Sequence, residues 1–231
     1  MLRLPVLILA VGIASCNLMD NETYKQLVLD EHSKYRKIQG ASNMNKLEWD
    51  DQLQNEAHNW TKACIWGHEG GGRGENKGLF IGDNYKEGIS DMLKSWYDEI
   101  KEYNYTGKSC LPSSCHYTQM VWAKTRKIGC SLNKCNFGMF LCCFYDPMGN
   151  NLSEYPYLKG TPCSKCLVNE GCDNGLCTAS TGFHVAESCK DELETELCAK
   201  YQSYCKKSEE FMVDNCKKTC NFCKMDRFGQ K

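Results

Sequence analysis

Residues 115–150 read CHYTQMVWAKTRKIGCSLNKCNFGMFLCCFYDPMGN, and this stretch decides the fold. Its first half places His116 beside Tyr117, Thr118 and Gln119, then runs into the apolar Met120, Val121 and Trp122. Its second half, Met139 to Tyr145, alternates sulfur, aromatic and aliphatic side chains and stops at a Pro-Met-Gly turn. β-Branched, aromatic and Cys residues closed by turn residues predict strands for both halves. Neighbouring residues of a strand point to opposite faces, so Cys142 and Cys143 cannot serve the same side.

The chain has 231 residues, a net charge of −1 and 18 Cys. That length holds one full core plus a small appendage. The charge balance and the lack of a basic stripe give no case for a nucleic-acid partner. So many Cys belong in an oxidising compartment, where they act as staples. The N-terminus agrees: a short basic start is followed by an apolar run from Leu4 to Ile13. That run is too short to span a bilayer, which needs about 20 residues. Residues 1–16 therefore read as a secretory signal peptide, with small residues allowing cleavage after Ala14 or after Cys16. No later segment is apolar and long enough to cross a membrane. Asn21, Asn59, Asn104 and Asn151 each open an Asn-x-Ser/Thr triplet and are glycosylation candidates.

Residues 22 to 66 read as helical, broken at Gly40-Ala41-Ser42-Asn43. Tyr24, Leu27, Val28, His32 and Tyr35 recur at helical spacing. After Asp50, an N-cap candidate, Leu53, Ala57, Trp60 and Ala63 make a second stripe. Residues 67 to 85 are glycine-rich and predict a loop. The loop has no Gly-Lys-Ser/Thr, so a phosphate cradle is excluded. Residues 87 to 102 return to helix, with Ile89, Met92, Leu93, Trp96 and Ile100 on one face.

HYTQMVW with the following Ile128-Gly129-Cys130, and CFYDPMGN from Cys143 to Asn150, resemble the two signatures of the CAP superfamily. They come in the right order, about twenty-five residues apart, which is far more specific than a lone short pattern. EHSKYR…MNKLEWDDQLQNEAHNWTKAC, Cys64-x-x-x-His68, Gly74-Glu75-Asn76 and Trp96-Tyr97-Asp98-Glu99 are similar to the same family. The resemblance implies an α+β fold, a three-layer α-β-α sandwich over residues 22–158. It also implies that His68, Glu75, Glu99 and His116 line one open cleft. Two imidazoles and two carboxylates suit a weakly held divalent cation such as zinc, with no cofactor required. The same four groups suit acid–base hydrolysis, or a polar cluster that pins the loop to the sheet. No Ser or Cys nucleophile sits in an activating context, which argues against a protease. Cysteine-rich secretory proteins of this family imply Cys64–Cys135 and Cys130–Cys143. Arg73 and Asp146 stand where a third family bridge would be, and the geometry implied by the resemblance predicts an ion pair between them. Cys110 and Cys115 can close a short loop, which leaves Cys142 either free or paired with Cys16.

Residues 159–188 open with Lys159-Gly160-Thr161-Pro162 and carry two closely spaced Cys pairs. They resemble the hinge of cysteine-rich secretory proteins, which implies disulfides Cys163–Cys172 and Cys166–Cys177 in place of zinc. Residues 189–223 resemble the ShK toxin-like domain, with implied bonds Cys189–Cys223, Cys198–Cys216 and Cys205–Cys220. Residues 224–231 are a tail. Short helices are expected around Glu192–Tyr201 and Glu209–Lys217. Glu210-Phe211 stands where the toxins carry a pore-plugging Lys-Tyr pair. The leading expectation is a secreted, extracellular, non-enzymatic binding protein acting on a cell-surface protein or ion channel. The alternatives are a secreted hydrolase using the His/Glu cleft and a sterol or lipid carrier.

Overall fold

The computed structural model describes residues 17–108, 110–168, 170–179, 191–205, 212, 215–216 and 218–220. A four-stranded sheet in the order β1-β3-β4-β2 forms the middle layer. Its strands are β1 (Glu48–Trp49), β2 (Gly74–Phe80), β3 (Lys127–Cys135) and β4 (Gly138–Asp146). β1 runs parallel to β3, and the other pairs are antiparallel.

The period-two alternation of β4 builds the layers. Met139, Leu141, Cys143 and Tyr145 face one way, with Ile128, Cys130 and Leu132 of β3 beside them. Onto that face pack α1 (Glu22–Lys37), α3 (Tyr85–Asp98) and the short α4 (Cys115–Met120), through Val28, Tyr35, Ile89, Leu93, Tyr117 and Met120. Phe140, Cys142 and Phe144 face the other way, toward Leu53 and Ala57 of α2 (Asp51–Thr61). Cys130 and Cys143 lie directly opposite each other in the β3–β4 pairing and are bonded. Cys142 is free and buried on the far face. At Gly129 a Cβ would lie 2.2 Å from Gln54 N and 2.6 Å from Asp50 O, so only glycine lets the first turn of α2 sit on the sheet. Asp50 caps that turn, its Oδ1 accepting from Leu53 N at 2.9 Å.

Two expected elements change. Cys115–Met120 is helix and not strand, with Tyr117, Thr118, Gln119 and Met120 all buried and the polar groups of the first three bonded to Gln39, Asn150 and Gly149. Propensity is a weak prior that packing overrides. Within the glycine-rich stretch, residues 74–80 are strand β2, paired with β4 from Gly74↔Tyr145 to Phe80↔Met139. Only residues before Gly74 and after Phe80 keep the loop character. The two helical stretches expected within 22 to 66 are α1 and α2, with β1 between them, and α3 gives way to a 3-10 turn at Glu99–Glu102.

The hinge hairpin, β5 (Glu170–Asp173) and β6 (Leu176–Ala179), is docked on the sandwich. Cys177 exchanges backbone hydrogen bonds with the loop after α1: Lys46 N donates to Cys177 O at 2.8 Å, and Cys177 N to Met44 O at 2.7 Å. Leu176 is fully buried in the main core. Arg126 pairs with Glu170, and Lys46 with Asp173 at 2.6 Å. Cys163–Cys172 and Cys166–Cys177 are bonded, as are Cys64–Cys135 and Cys110–Cys115. In the C-terminal region α5 (Thr195–Lys200) contributes Cys198 to a small cluster with Met212 and Cys216. Cys198–Cys216 and Cys205–Cys220 are bonded. Cys189–Cys223, Glu210-Phe211 and most of the expected helix Glu209–Lys217 lie outside the described residues. Among the described residues no helix is long and apolar enough to cross a membrane.

Candidate functional site

The four residues expected to line one cleft arrive as two His–Glu pairs. Glu75 is the second residue of β2, and His68 precedes it in the loop after α2. His68 Nδ1 lies 3.0 Å from Glu75 Oε1, while Glu69 N donates to Glu75 Oε2 at 2.9 Å. The Glu75 side chain is 9% exposed and that of His68 is 65% exposed, so the carboxylate is an anchor and the imidazole reaches solvent. The second pair joins the end of α3 to the start of α4. His116 Nδ1 lies 2.6 Å from Glu99 Oε1, and Glu99 Oε2 accepts from His116 N at 2.9 Å and Tyr117 N at 3.1 Å. Glu99 therefore supplies the N-terminal cap of α4 from another element. Trp96 stacks on the His116 ring at 5.9 Å, and Asn76 Nδ2 donates to His116 O at 2.9 Å.

This arrangement fixes which atoms are available. Each imidazole spends Nδ1 on a carboxylate, which leaves Nε2 as its outward nitrogen. Each carboxylate is already committed to an imidazole and to backbone N–H groups. Among the described residues the four do not bring three ligand atoms within 4.8 Å of one another. Cys166, Glu170 and Cys177 do come that close, but the two sulfurs are bonded to each other. A disulfide offers no thiolate, so this trio is not a metal site.

The surrounding sequence explains the support. Gln119 Oε1 accepts from Gly149 N at 2.8 Å, Thr118 Oγ1 donates to Asn150 Oδ1 at 2.6 Å, and Asn150 Nδ2 donates to Cys115 O at 3.0 Å. The two signature stretches are thus stitched together beneath His116. The expected Arg73–Asp146 ion pair is not formed. Arg73 pairs with Glu56 of α2 and lies over the Phe144 ring at 5.0 Å. A guanidinium over a ring beside a half-buried carboxylate is better placed than one paired with the exposed Asp146. The capping role of Glu99 left no signal in the sequence, since residues 100–114 separate cap and helix. All four glycosylation candidates are exposed. At Asn104 and Asn151 the side-chain oxygen accepts from the hydroxyl of Thr106 and of Ser153.

The family model described as CAP, cysteine-rich secretory protein family, matches residues 29–145. The chain belongs to the CAP family. A second model, ShK domain-like, matches residues 188–223 of this CAP protein. Peptidase inhibitor 16 of Mus musculus is 38% identical over 170 residues, covering 68% of the chain and 34% of that relative. The chain thus spans about a third of that relative's length. Cysteine-rich secretory protein 3 of Equus caballus is 32% identical over 190 residues, covering 74% of the chain and 75% of the relative. Among solved structures, NaASP2 with Zn2+ superposes with a TM-score of 0.63 at 30% identity, covering 68% of the chain and 96% of that structure. The sandwich is therefore a CAP domain carrying a disulfide-rich, ShK-like C-terminal region.

Proposed function

We propose that this CAP protein is a secreted, non-enzymatic binding protein whose partner is a cell-surface protein or an ion channel. The observation that carries the reading is the state of the two carboxylates. Glu75 and Glu99 each accept an imidazole and at least one backbone N–H, so neither stands free as a general base over the cleft. The alternative of a hydrolase would have to use an outward imidazole Nε2 as its base, with the carboxylate left in place behind it. The 310 Å³ pocket beside α3 is lined by Phe80, Ile81 and Met92 together with the acidic Asp83, Glu87 and Asp91. Secretion is supported by the disulfides and by relatives named as secretory. The domain plan is residues 22–158 for the sandwich, 159–188 for the hinge and 189–223 for the ShK-like unit.

Within the cleft, His68 and His116 offer Nε2 to a weakly bound divalent cation such as zinc. A relative solved with Zn2+ and the fixed Nδ1 bonds support this reading. Calorimetry with zinc tests it. The wild type is expected to give weak binding, and His68→Ala with His116→Ala to give none. Glu75→Gln keeps both Nε2 atoms and is expected to bind while melting lower. Binding unchanged in the double His variant overturns the cation reading. Peptide hydrolysis lost in Glu75→Gln overturns the non-enzymatic one.

A further inference from the structure

The Cys110–Cys115 disulfide lies directly beside His116, and the cleft description leaves it without a role. It joins residues only five apart, and Cys115 is the first residue of α4. Between them Leu111 is 60% exposed, and Pro112 and Ser113 are also exposed, while Ser114 is fully buried. Inside the ring, Leu111 N donates to Ser114 Oγ at 3.0 Å and Ser114 N to Leu111 O at 2.8 Å. Ser114 is the residue before α4, the place where a serine ordinarily caps a helix, yet its side chain makes no such bond. Its hydroxyl is held by Leu111, and Glu99 caps the helix in its stead.

We infer that the Cys110–Cys115 bridge is a redox-sensitive latch on the His116–Glu99 half of the cleft. The inference deepens the cation reading above and rests on it for the zinc readout. An external dithiol opens the latch. Its two thiols become a disulfide, the Cys110–Cys115 S–S bond takes up the two electrons, and the two sulfurs leave as thiols with the two protons. The half-buried sulfurs lie under an exposed loop, within reach of a small reductant. With the ring open, Leu111 releases Ser114, whose hydroxyl competes with Glu99 for the first N–H groups of α4. Glu99 then loses its fixed position, and His116 loses the bond that orients its ring. The effect stays within the first turn, because Asn150 and Thr118 still hold Cys115 O at 3.0 and 3.2 Å.

The test uses the full chain. Amide exchange is followed at His116 and Tyr117 in the wild type and in Cys110→Ser with Cys115→Ser, and zinc affinity is measured on both. Exchange at these two amides is expected to quicken about tenfold in the variant while β3 and β4 keep their protection. Zinc affinity is expected to fall on the order of tenfold, the scale of a lost ligand-orienting bond. Should the variant misfold, graded dithiol treatment of the wild type, with the opened bridge mapped by mass spectrometry, gives the same readout. Unchanged exchange at both amides overturns the latch. Quickened exchange in a protein that never bound zinc upholds the latch and sinks the cation reading alone. Zinc binding that persists unchanged beside quickened exchange overturns the link between them.

Discussion

Arg36 is fully buried and pairs with no carboxylate among the described residues. Its guanidinium donates to five backbone carbonyls: Asn45, Met120, Trp122, Ala123 and Thr125. Those carbonyls belong to the loop after α1 and to the turn after α4, so one side chain fixes both. Replacing it with Met strips the buried carbonyls of Asn45, Met120 and Thr125 of their donor, each costing about 1–3 kcal/mol, while Trp122 O and Ala123 O keep the backbone N–H groups of Thr125 and Asn45. That sum approaches the whole stability of a domain, about 5–15 kcal/mol. Arg36→Met is expected to yield no folded protein by circular dichroism. His32 sits one turn before Arg36, fully buried, with Nδ1 donating to Val28 O at 2.8 Å and Nε2 3.0 Å from the Tyr145 hydroxyl. Burial, and to a lesser degree the neighbouring Arg36 charge, push its pKa down to about 4 from 6.5. The unfolded chain takes up the proton near 6.5 and the folded chain only near 4. Stability present above pH 6.5 is therefore lost as pH falls through that window, by about 3 kcal/mol in all. Denaturant titrations at pH 7 and pH 4.5 should show this loss, and it should vanish in His32→Gln.

At the scale of elements, β4 was the most legible. Its alternation named both faces, and the resemblance of the flanking motifs named the fold. α4 was not legible, because the residues that make HYTQM helical are Glu99, Asn150 and the sheet beneath, none of them local. β2 was hidden by its glycines: Gly74 makes room for the Gln119 side chain, and Gly78 for Met92. At the candidate site, the identities of His68, Glu75, Glu99 and His116 could be carried over from the family motifs. Their division into two separately anchored pairs could not, since it depends on which backbone N–H groups each carboxylate meets. The α2–sheet contact gives a prediction at this scale. Gly129→Val would drive its side chain into the α2 backbone at Asp50, Leu53 and Gln54. Overpacking against backbone costs at least about 1–3 kcal/mol. Thermal melts should fall accordingly, and a melt within 1 °C of wild type would refute the contact.

At the scale of the whole molecule, the hinge is part of the sandwich. Leu176 lies in the main core, and Cys177 continues the backbone pairing of residues 44–46. A chain ended after residue 158 loses the burial of one leucine, about 1.5–3 kcal/mol, together with those backbone bonds. Its melting point is expected to lie about 5–10 °C below that of a chain ended after residue 179. Equal melting points would return the hairpin to the status of a linker. The thiol inventory offers a second check. Burial raises the pKa of Cys142 well above the ordinary thiol range, so the native protein should not react with iodoacetamide at that residue. Mass spectrometry after denaturation without reductant should find the label at Cys142.

The adjacency of Cys142 and Cys143 also bears on how the chain acquires its bridges. Cys130 meets Cys143 only because the hairpin is in register, and the competing thiol is one residue away. A bond from Cys130 to Cys142 would slip β4 by one position and turn it over. Phe140 and Phe144 would then face α1 and α3, and Met139, Leu141 and Tyr145 would face α2. Such a species is covalently trapped with its core inside out. Strand pairing must therefore precede oxidation, and a chain oxidised too early is lost to the wrong partner. Cys142→Ala removes the competitor, so it should refold from the reduced, denatured state in higher yield than wild type, most visibly under fast oxidation. Equal yields across oxidant concentrations would show that the register is set long before either sulfur can react.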